Sequence, residues 1–129
     1  MDGPSFADTS GMVDIMSEMG SGYEFVFLTA PYGGRGGKLW IRDPPGGKST
    51  PTDDPNWDAL SIDAIDAVVA SQGPFYGILG YSQGTAMTIS YLAQAPNNTF
   101  AIGLVLCAYV PSTHLGLVGR IEAAAPFSI

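Results

Sequence analysis

The sequence predicts an α/β fold, with a mostly parallel sheet of three strands flanked by helices. Strand-like apolar segments alternate with helix-like segments, an order that favours right-handed crossovers and a parallel sheet. No Asp, Glu, Lys or Arg occurs between Asp66 and Arg120, which is typical of elements buried on both sides. The chain has 129 residues, of which 46% are hydrophobic, so we expect one small domain spanning residues 1–129.

The first predicted helix and strand lie near the start of the chain. Between Ser10, which can cap a helix, and Gly20, which can end one, four apolar residues recur at helical spacing: Met12, Ile15, Met16 and Met19. We expect this methionine-rich stripe to pack in the core rather than to bind a ligand. Residues 23–29 are rich in aromatic and β-branched side chains, which predicts the first strand.

A long Gly- and Pro-rich segment, residues 33–55, is predicted to be a loop. Its two glycine–lysine runs, residues 33–38 and 46–49, lack the spacing and the following helix of a phosphate-binding loop. We therefore predict no nucleotide cofactor. One histidine and one cysteine cannot form a zinc site, so we predict no metal either.

A second helix is predicted for residues 54–72, because Asp54 and Pro55 suit its first positions. Its apolar residues share one face, and Asp63 and Asp66 lie away from that face. We expect these two aspartates to be solvated rather than to form a catalytic pair.

Gly80-Tyr81-Ser82-Gln83-Gly84 is the segment with the clearest chemical meaning. It follows an apolar strand-like run, residues 75–79, and precedes an uncharged helix-like segment, residues 85–94. A strand, Gly-x-Ser-x-Gly and a helix form a nucleophile elbow, whose strained, crowded turn favours glycine on both sides. We predict Ser82 as the nucleophile and the Gln83 backbone N–H as an oxyanion donor. The alternative is a Gly-rich turn with a surface serine.

The last two predicted elements follow the elbow helix. Residues 100–108 are apolar and predict a buried strand, in which we expect Cys107 to be a small buried hydrophobe rather than a nucleophile. Ser112 or Thr113 can cap a final helix that extends to Ala124.

Charge and hydropathy exclude several classes of function. A net charge of −7 and a pI of about 4.2 argue against nucleic acid as a partner. The first ten residues have neither the basic region nor the apolar region of a signal peptide. The longest apolar run, residues 100–110, is too short to span a bilayer. With a single cysteine, these features lead us to expect a cytoplasmic protein with no membrane contact.

The chain resembles the FSH family of serine hydrolases, a branch of the α/β-hydrolase fold. The resemblance is carried by four parts of the chain: residues 23–31, 43–45 with Trp57, 73–84 and 107–111. It implies a partial α/β-hydrolase fold and a small-molecule ester or thioester substrate, hydrolysed by a Ser–Asp–His triad. By this resemblance Ser82 is the nucleophile and the Gln83 N–H is half of the oxyanion hole.

The chain also departs from the family pattern. Family members normally begin with a strand and a His-Gly loop that supplies the second oxyanion donor, and no such segment precedes Met12. After Ser82 the only acid is Glu122 and the only histidine is His114, the reverse of the usual order. We therefore expect the triad Asp and His to be missing from this chain, and His114 to lie on an apolar face or cap a helix. We expect an incomplete domain with little activity of its own.

Two other functions remain open from the sequence. The chain is alternatively an inactive hydrolase remnant or a module that binds an acyl group or a partner, including a flavodoxin-like module. An acyl pocket has five aromatic or aliphatic candidates, which are equally suited to the core: Tyr32, Trp40, Trp57, Tyr81 and Leu115. An incomplete sheet also leads us to expect self-association through exposed strand edges.

Overall fold

The computed structural model describes residues 1–34 and 36–124. Its helices are α1 (Gly3–Ala7), α2 (Ser10–Met19), α3 (Ala59–Gln72), α4 (Gln83–Leu92) and α5 (Leu115–Ala124). Its strands are β1 (Tyr32–Gly34), β2 (Gly37–Leu39), β3 (Gly77–Tyr81) and β4 (Ile102–Leu106).

The strands form two separate pairs. β3 and β4 are parallel, with Gly77 aligned to Ile102 and Tyr81 aligned to Leu106, and α4 connects them. β1 and β2 form a short antiparallel pair inside the segment that was predicted to be a loop. The α/β class agrees with the prediction, but the described residues hold two parallel strands and a hairpin instead of a three-stranded sheet.

Residues 23–29 are the predicted strand that the structure lacks, since this segment has no regular secondary structure. A strand needs backbone hydrogen bonds to a neighbouring strand, and this segment pairs with none of the described strands. Side chains hold the segment instead. The Phe6 ring lies 6.2 Å from the Phe27 ring and 5.9 Å from the Tyr81 ring, measured between centroids. The Gly3 N–H also donates to Thr29 Oγ1 at 2.9 Å.

Two helices begin later than predicted. Asp54 Oδ1 accepts a hydrogen bond from the Asn56 N–H at 2.9 Å, and this local turn delays the start of α3 to Ala59. α5 begins at Leu115, one or two residues after the start that a cap at Ser112 or Thr113 predicts.

The core lies between α3, α4, α5 and the loop before α3. Its buried residues include Ile41, Ile65, Ala86, Met87, Tyr91 and Leu117. α4 is buried on most sides, as its lack of charge predicts. In α2, Met12 is buried and Ile15, Met16 and Met19 are half-buried, so the predicted stripe packs against the rest of the fold. Within the part of the chain that the structure describes, no helix is both long and apolar enough to cross a membrane.

β4 is not the fully buried strand that the sequence predicts. Ile102, Leu104 and Leu106 are 43%, 39% and 36% exposed, whereas the residues between them are half-buried. One face of β4 is therefore covered and the other is open. The prediction of a buried Cys107 is also wrong, because its free thiol is exposed. The backbone φ of Cys107 is 55°, since the chain turns just beyond Leu106, the last paired residue of β4.

Candidate active site

Ser82 occupies a sharp turn between β3 and α4. Its φ of 52° and ψ of −118° lie in a region that residues other than glycine avoid. The Ser82 N–H donates to the Leu106 carbonyl oxygen at 3.0 Å, and Thr85 Oγ1 lies 2.8 Å from the same oxygen. The end of β4 thus anchors the turn, and the Ser82 side chain is exposed at its apex.

The two glycines of the turn differ in their surroundings. A Cβ on Gly80 would lie 2.5 Å from both the Gly84 carbonyl oxygen and Thr88 Oγ1, so a side chain does not fit there. A Cβ on Gly84 would meet only the Trp40 ring, at 3.8 Å. The predicted crowding on both sides of Ser82 is therefore correct for Gly80 and wrong for Gly84.

The first turn of α4 presents free backbone N–H groups next to Ser82. The Thr85 N–H donates to the Ser82 carbonyl oxygen at 3.0 Å, but the Gln83 N–H has no acceptor among the described residues. The first N–H groups of a helix lack partners within the helix and lie at its positive end. The Gln83 N–H is thus available to an anionic oxygen beside Ser82.

The Gln83 side chain makes contacts that the sequence did not predict. Gln83 Oε1 accepts a hydrogen bond from the Trp40 N–H at 2.7 Å, and Nε2 donates to the Ile41 carbonyl oxygen at 3.0 Å. The carboxamide therefore ties the start of α4 to the loop after β2. No local pattern signals this, because the partners lie about 40 residues earlier in the chain.

Arg42, in the same loop, is held between two aromatic rings. Its guanidinium carbon lies 4.5 Å from the Tyr32 centroid and 4.3 Å from the Trp57 centroid, which is cation–π geometry. Trp57 Nε1 also donates to the Arg42 carbonyl oxygen at 3.0 Å. Tyr32 and Trp57, predicted as candidates for an acyl pocket, are thus structural contacts of Arg42.

The other three candidates for an acyl pocket are also placed elsewhere. Trp40 packs against the core, whereas Tyr81 and Leu115 are 51% and 47% exposed. None of the three lines either of the two cavities that adjoin α4.

His114 lies directly before α5 and is 7% exposed. Its Nε2 is 2.8 Å from the Arg42 carbonyl oxygen, and because a carbonyl only accepts, Nε2 carries the proton. Its Nδ1 is buried and has no hydrogen-bond partner in the described structure. The His114 carbonyl oxygen accepts the first helical bond of α5, from Val118 at 3.0 Å. His114 therefore lies at the start of α5, in agreement with the prediction that it caps a helix. Its Nε2 is engaged by the Arg42 carbonyl oxygen.

A buried carboxylate lies near His114. Asp58 is 0% exposed, neither of its carboxylate oxygens is hydrogen-bonded among the described residues, and Arg120 Nη1 is 3.7 Å away. Burial raises the pKa of Asp58, and the Arg120 charge opposes this shift. Asp63 and Asp66 are exposed, as predicted, and Asp66 Oδ1 accepts a hydrogen bond from the Tyr91 hydroxyl at 2.6 Å.

Two cavities adjoin α4, and Tyr109–Pro111 lines both of them. The polar cavity, of about 320 Å³, is lined by Gln83, His114 and residues of the loop after β2. The apolar cavity, of about 150 Å³, lies between α4 and α5 and includes Ala86 in its lining. Both therefore begin within the first turns of the helix that follows Ser82.

Comparisons with known proteins find a family model and a curated relative that match parts of the chain. The family model described as "Serine hydrolase (FSH1)" matches residues 35–101, just over half of the chain, including the turn at Ser82. "Esterase alnB" of Emericella nidulans is 50% identical over 34 residues, which cover 26% of this chain and 12% of that esterase. The matched segment is thus a small part of the curated relative. No solved structure matches.

Proposed function

Since this chain belongs to the serine hydrolase (FSH1) family, we propose that it acts on carboxylic esters or thioesters, with Ser82 as the nucleophile. The observation that carries the proposal is the backbone of Ser82, with φ of 52° between the end of β3 and the start of α4. A strained strand-to-helix turn is costly and is retained where it exposes a reactive hydroxyl. The esterase relative supports the same class of substrate.

The reaction proceeds in two steps. Ser82 Oγ attacks the carbonyl carbon of the ester or thioester, and its proton passes to a base. The Gln83 N–H donates to the oxygen that becomes negative. Collapse of the intermediate breaks the ester or thioester bond, and the leaving oxygen or sulfur takes the proton back from the base to depart as the alcohol or thiol. Water then hydrolyses the acyl-serine, which releases the carboxylic acid and restores the Ser82 hydroxyl.

The described residues offer Ser82 no base. No imidazole or carboxylate among residues 1–34 and 36–124 is hydrogen-bonded to Ser82, and His114 Nε2 is taken by the Arg42 carbonyl. Serine hydrolases that lose triad members keep about 10³–10⁴-fold catalysis over water through the oxyanion hole and binding. We therefore expect Ser82 of this chain to react slowly and to depend on an external base.

A second candidate function is acyl binding without turnover. The engaged His114 ring favours it, because a serine without a base binds an ester more readily than it cleaves one. In this case the turn at Ser82 and the first N–H of α4 bind the carbonyl group, and no acyl-serine forms.

Labelling with a fluorophosphonate separates the two candidates. Attack by Ser82 Oγ forms the P–O bond, fluoride leaves, and the hydroxyl proton passes to solvent or to added base. The adduct is counted by intact-protein mass spectrometry and located by peptide mapping, with and without imidazole in the buffer. Ser82→Ala is the test variant, and Ser112→Ala, which removes an exposed hydroxyl beside the polar cavity, is the matched control.

We expect one adduct at Ser82, formed faster as imidazole is added, lost in Ser82→Ala and kept in Ser112→Ala. The absence of a Ser82 adduct at every imidazole concentration, together with retained binding of esters, would favour acyl binding without turnover. An adduct that persists in Ser82→Ala rules out Ser82 as the reactive group.

A further inference from the structure

We propose that the apolar cavity between α4 and α5 is the acyl subsite of this reaction, and that it accepts a compact acyl group about the size of a benzene ring. The inference rests on the proposed role of Ser82 as the nucleophile. It assigns a chemical class to the substrate: esters or thioesters of small aromatic or branched acids, in preference to those of long-chain fatty acids.

The chemistry of the lining is the first support. Ala86 and Ile89 of α4 face Val118 and Ile121 of α5, Tyr109–Pro111 lines another side, and the exposed Glu122 is the one charged residue of the lining. The exposed surface of the cavity is almost entirely apolar. A polar group that enters would lose hydration and find few hydrogen-bond partners on this apolar surface, whereas an apolar acyl group has no such hydration to lose.

The position of the cavity relative to Ser82 is the second support. Ser82 directly precedes α4, and Ala86 and Ile89 lie in the first two turns of that helix, three residues apart and so on one side of it. A rise of about 1.5 Å per residue places Ala86 about 4.5 Å along the axis from Gln83, the first residue of α4. An acyl group attached at Ser82 would reach the cavity along these first turns of α4.

The volume of the cavity sets the limit on size. An apolar cavity of about 150 Å³ binds benzene in an engineered protein, and this cavity also measures about 150 Å³. It does not deepen easily, because Ala86 and the neighbouring core residue Leu117 are each 1% exposed and closely packed. A phenyl or short branched group fills the cavity, whereas a long acyl chain would extend beyond it into water, because Val110 and Tyr109 of the lining are 63% and 44% exposed.

The polar cavity is a poor alternative for the acyl group. Its lining includes Asp43, Lys48 and Ser112. An apolar group placed there would displace water from two charged side chains and gain little in return. The acyl group is therefore assigned to the apolar cavity.

The test measures binding and needs no turnover. Methyl benzoate and methyl dodecanoate are titrated into protein with ¹³C-labelled methyl groups, and the methyl resonances of Ile89 and Val118 are followed by NMR. Ile89→Phe and Val118→Phe each fill the cavity, so that one remains informative if the other fails to fold. Leu60→Phe is the control, because it adds a ring at a position of α3 that is 55% exposed and does not line the cavity.

We expect methyl benzoate to shift the Ile89 and Val118 resonances and to bind at least about tenfold more weakly to both cavity-filling variants. Binding to Leu60→Phe should equal that of the parent. Equal binding of methyl dodecanoate, or unchanged binding in both filled variants, overturns the assignment of the subsite. Fluorophosphonate labelling of Ser82 is measured in parallel. Labelling without binding of methyl benzoate in the cavity overturns only the subsite. The absence of labelling overturns the proposed hydrolase function and, with it, the assignment of the cavity to the acyl group of a substrate.

Discussion

The Gln83 side chain donates a hydrogen bond to the Ile41 carbonyl oxygen at 3.0 Å, so the residue proposed as oxyanion donor also fixes the loop after β2. The same loop is held from α3, where Ser61 Oγ donates to the Trp40 carbonyl oxygen at 2.6 Å. Because Ile41 and Gln83 both line the polar cavity, the shape of that cavity and the start of α4 depend on one another.

Gln83→Ala should therefore destabilise the protein. The substitution leaves the Trp40 N–H and the Ile41 carbonyl without their partners in a partly buried region, a loss of about 1–3 kcal/mol. Urea denaturation measures it. Gln72→Ala is the matched control, because Gln72 is exposed at the end of α3 and should change stability by less than about 0.5 kcal/mol. Equal effects of the two substitutions would show that the Gln83 contacts contribute nothing.

The strained backbone of Ser82 predicts that glycine is more stabilising than alanine at this position, the reverse of their order inside a helix. At φ of 52° and ψ of −118°, glycine carries no penalty, whereas a residue with a Cβ costs about 1–3 kcal/mol. We expect Ser82→Gly to be about 1 kcal/mol or more stable than Ser82→Ala in urea denaturation. At Ser71, inside α3, the order should reverse, with Ser71→Gly about 1 kcal/mol less stable than Ser71→Ala. The same order at both positions would contradict a strained turn at Ser82.

Asp58 should make stability depend on pH. Its pKa is raised from 3.8, mainly by burial, while Arg120 and His114 oppose the shift and Asp54 adds to it. The folded state thus holds the Asp58 proton more tightly than the unfolded state. The contribution of this group is fully present below pH 3.8 and is lost as the pH rises through the folded pKa.

Asp58→Asn removes this contribution while keeping the shape of the side chain. We expect the free energy of unfolding of the parent, relative to Asp58→Asn, to fall as the pH rises from 3.8 towards neutrality. Urea denaturation at a series of pH values gives the difference. Asp63→Asn, at an exposed position of α3, serves as the control for the loss of one carboxylate from the same helix region. If the pH dependence of the free energy of unfolding is the same for Asp58→Asn as for the parent, then folding does not change how tightly Asp58 holds its proton.

The features that the sequence predicted correctly depend on local pattern. The turn at Ser82 follows from a strand, two glycines and a helix in immediate succession, and the burial of α4 follows from its lack of charge. Crowding was predicted correctly at Gly80, the end of β3, because its close neighbours Gly84 and Thr88 lie on α4, the helix that follows at once. These contacts lie within eight residues of Gly80, so that the local sequence contains the information.

The features that the sequence did not predict depend on distant partners. Residues 23–29 have the composition of a strand, but pairing requires an edge elsewhere in the fold. The contacts of Gln83 with Ile41 and of His114 with Arg42 span 42 and 72 residues. Asp58 belongs to the same group, because nothing in its local sequence shows that it becomes buried beside Arg120.

The exposed face of β4 should cause self-association. Ile102, Leu104 and Leu106 project from this strand at 36–43% exposure, and β3 is its only partner among the described strands. No charged residue lies between Asp66 and Arg120 to discourage contact with a second copy. We expect sedimentation velocity to show association that increases with protein concentration.

Leu104→Lys places a charge in the middle of the exposed face and should shift the protein towards monomer, because burying an unpaired ammonium against a second copy is costly. Leu60→Lys introduces the same charge on α3, where Leu60 is 55% exposed, and should leave the association unchanged. If both variants reduce association equally, net charge and not the face of β4 is responsible. A parent protein that stays monomeric at high concentration contradicts the prediction outright, since an apolar strand face with an open edge would then be stable in water by itself.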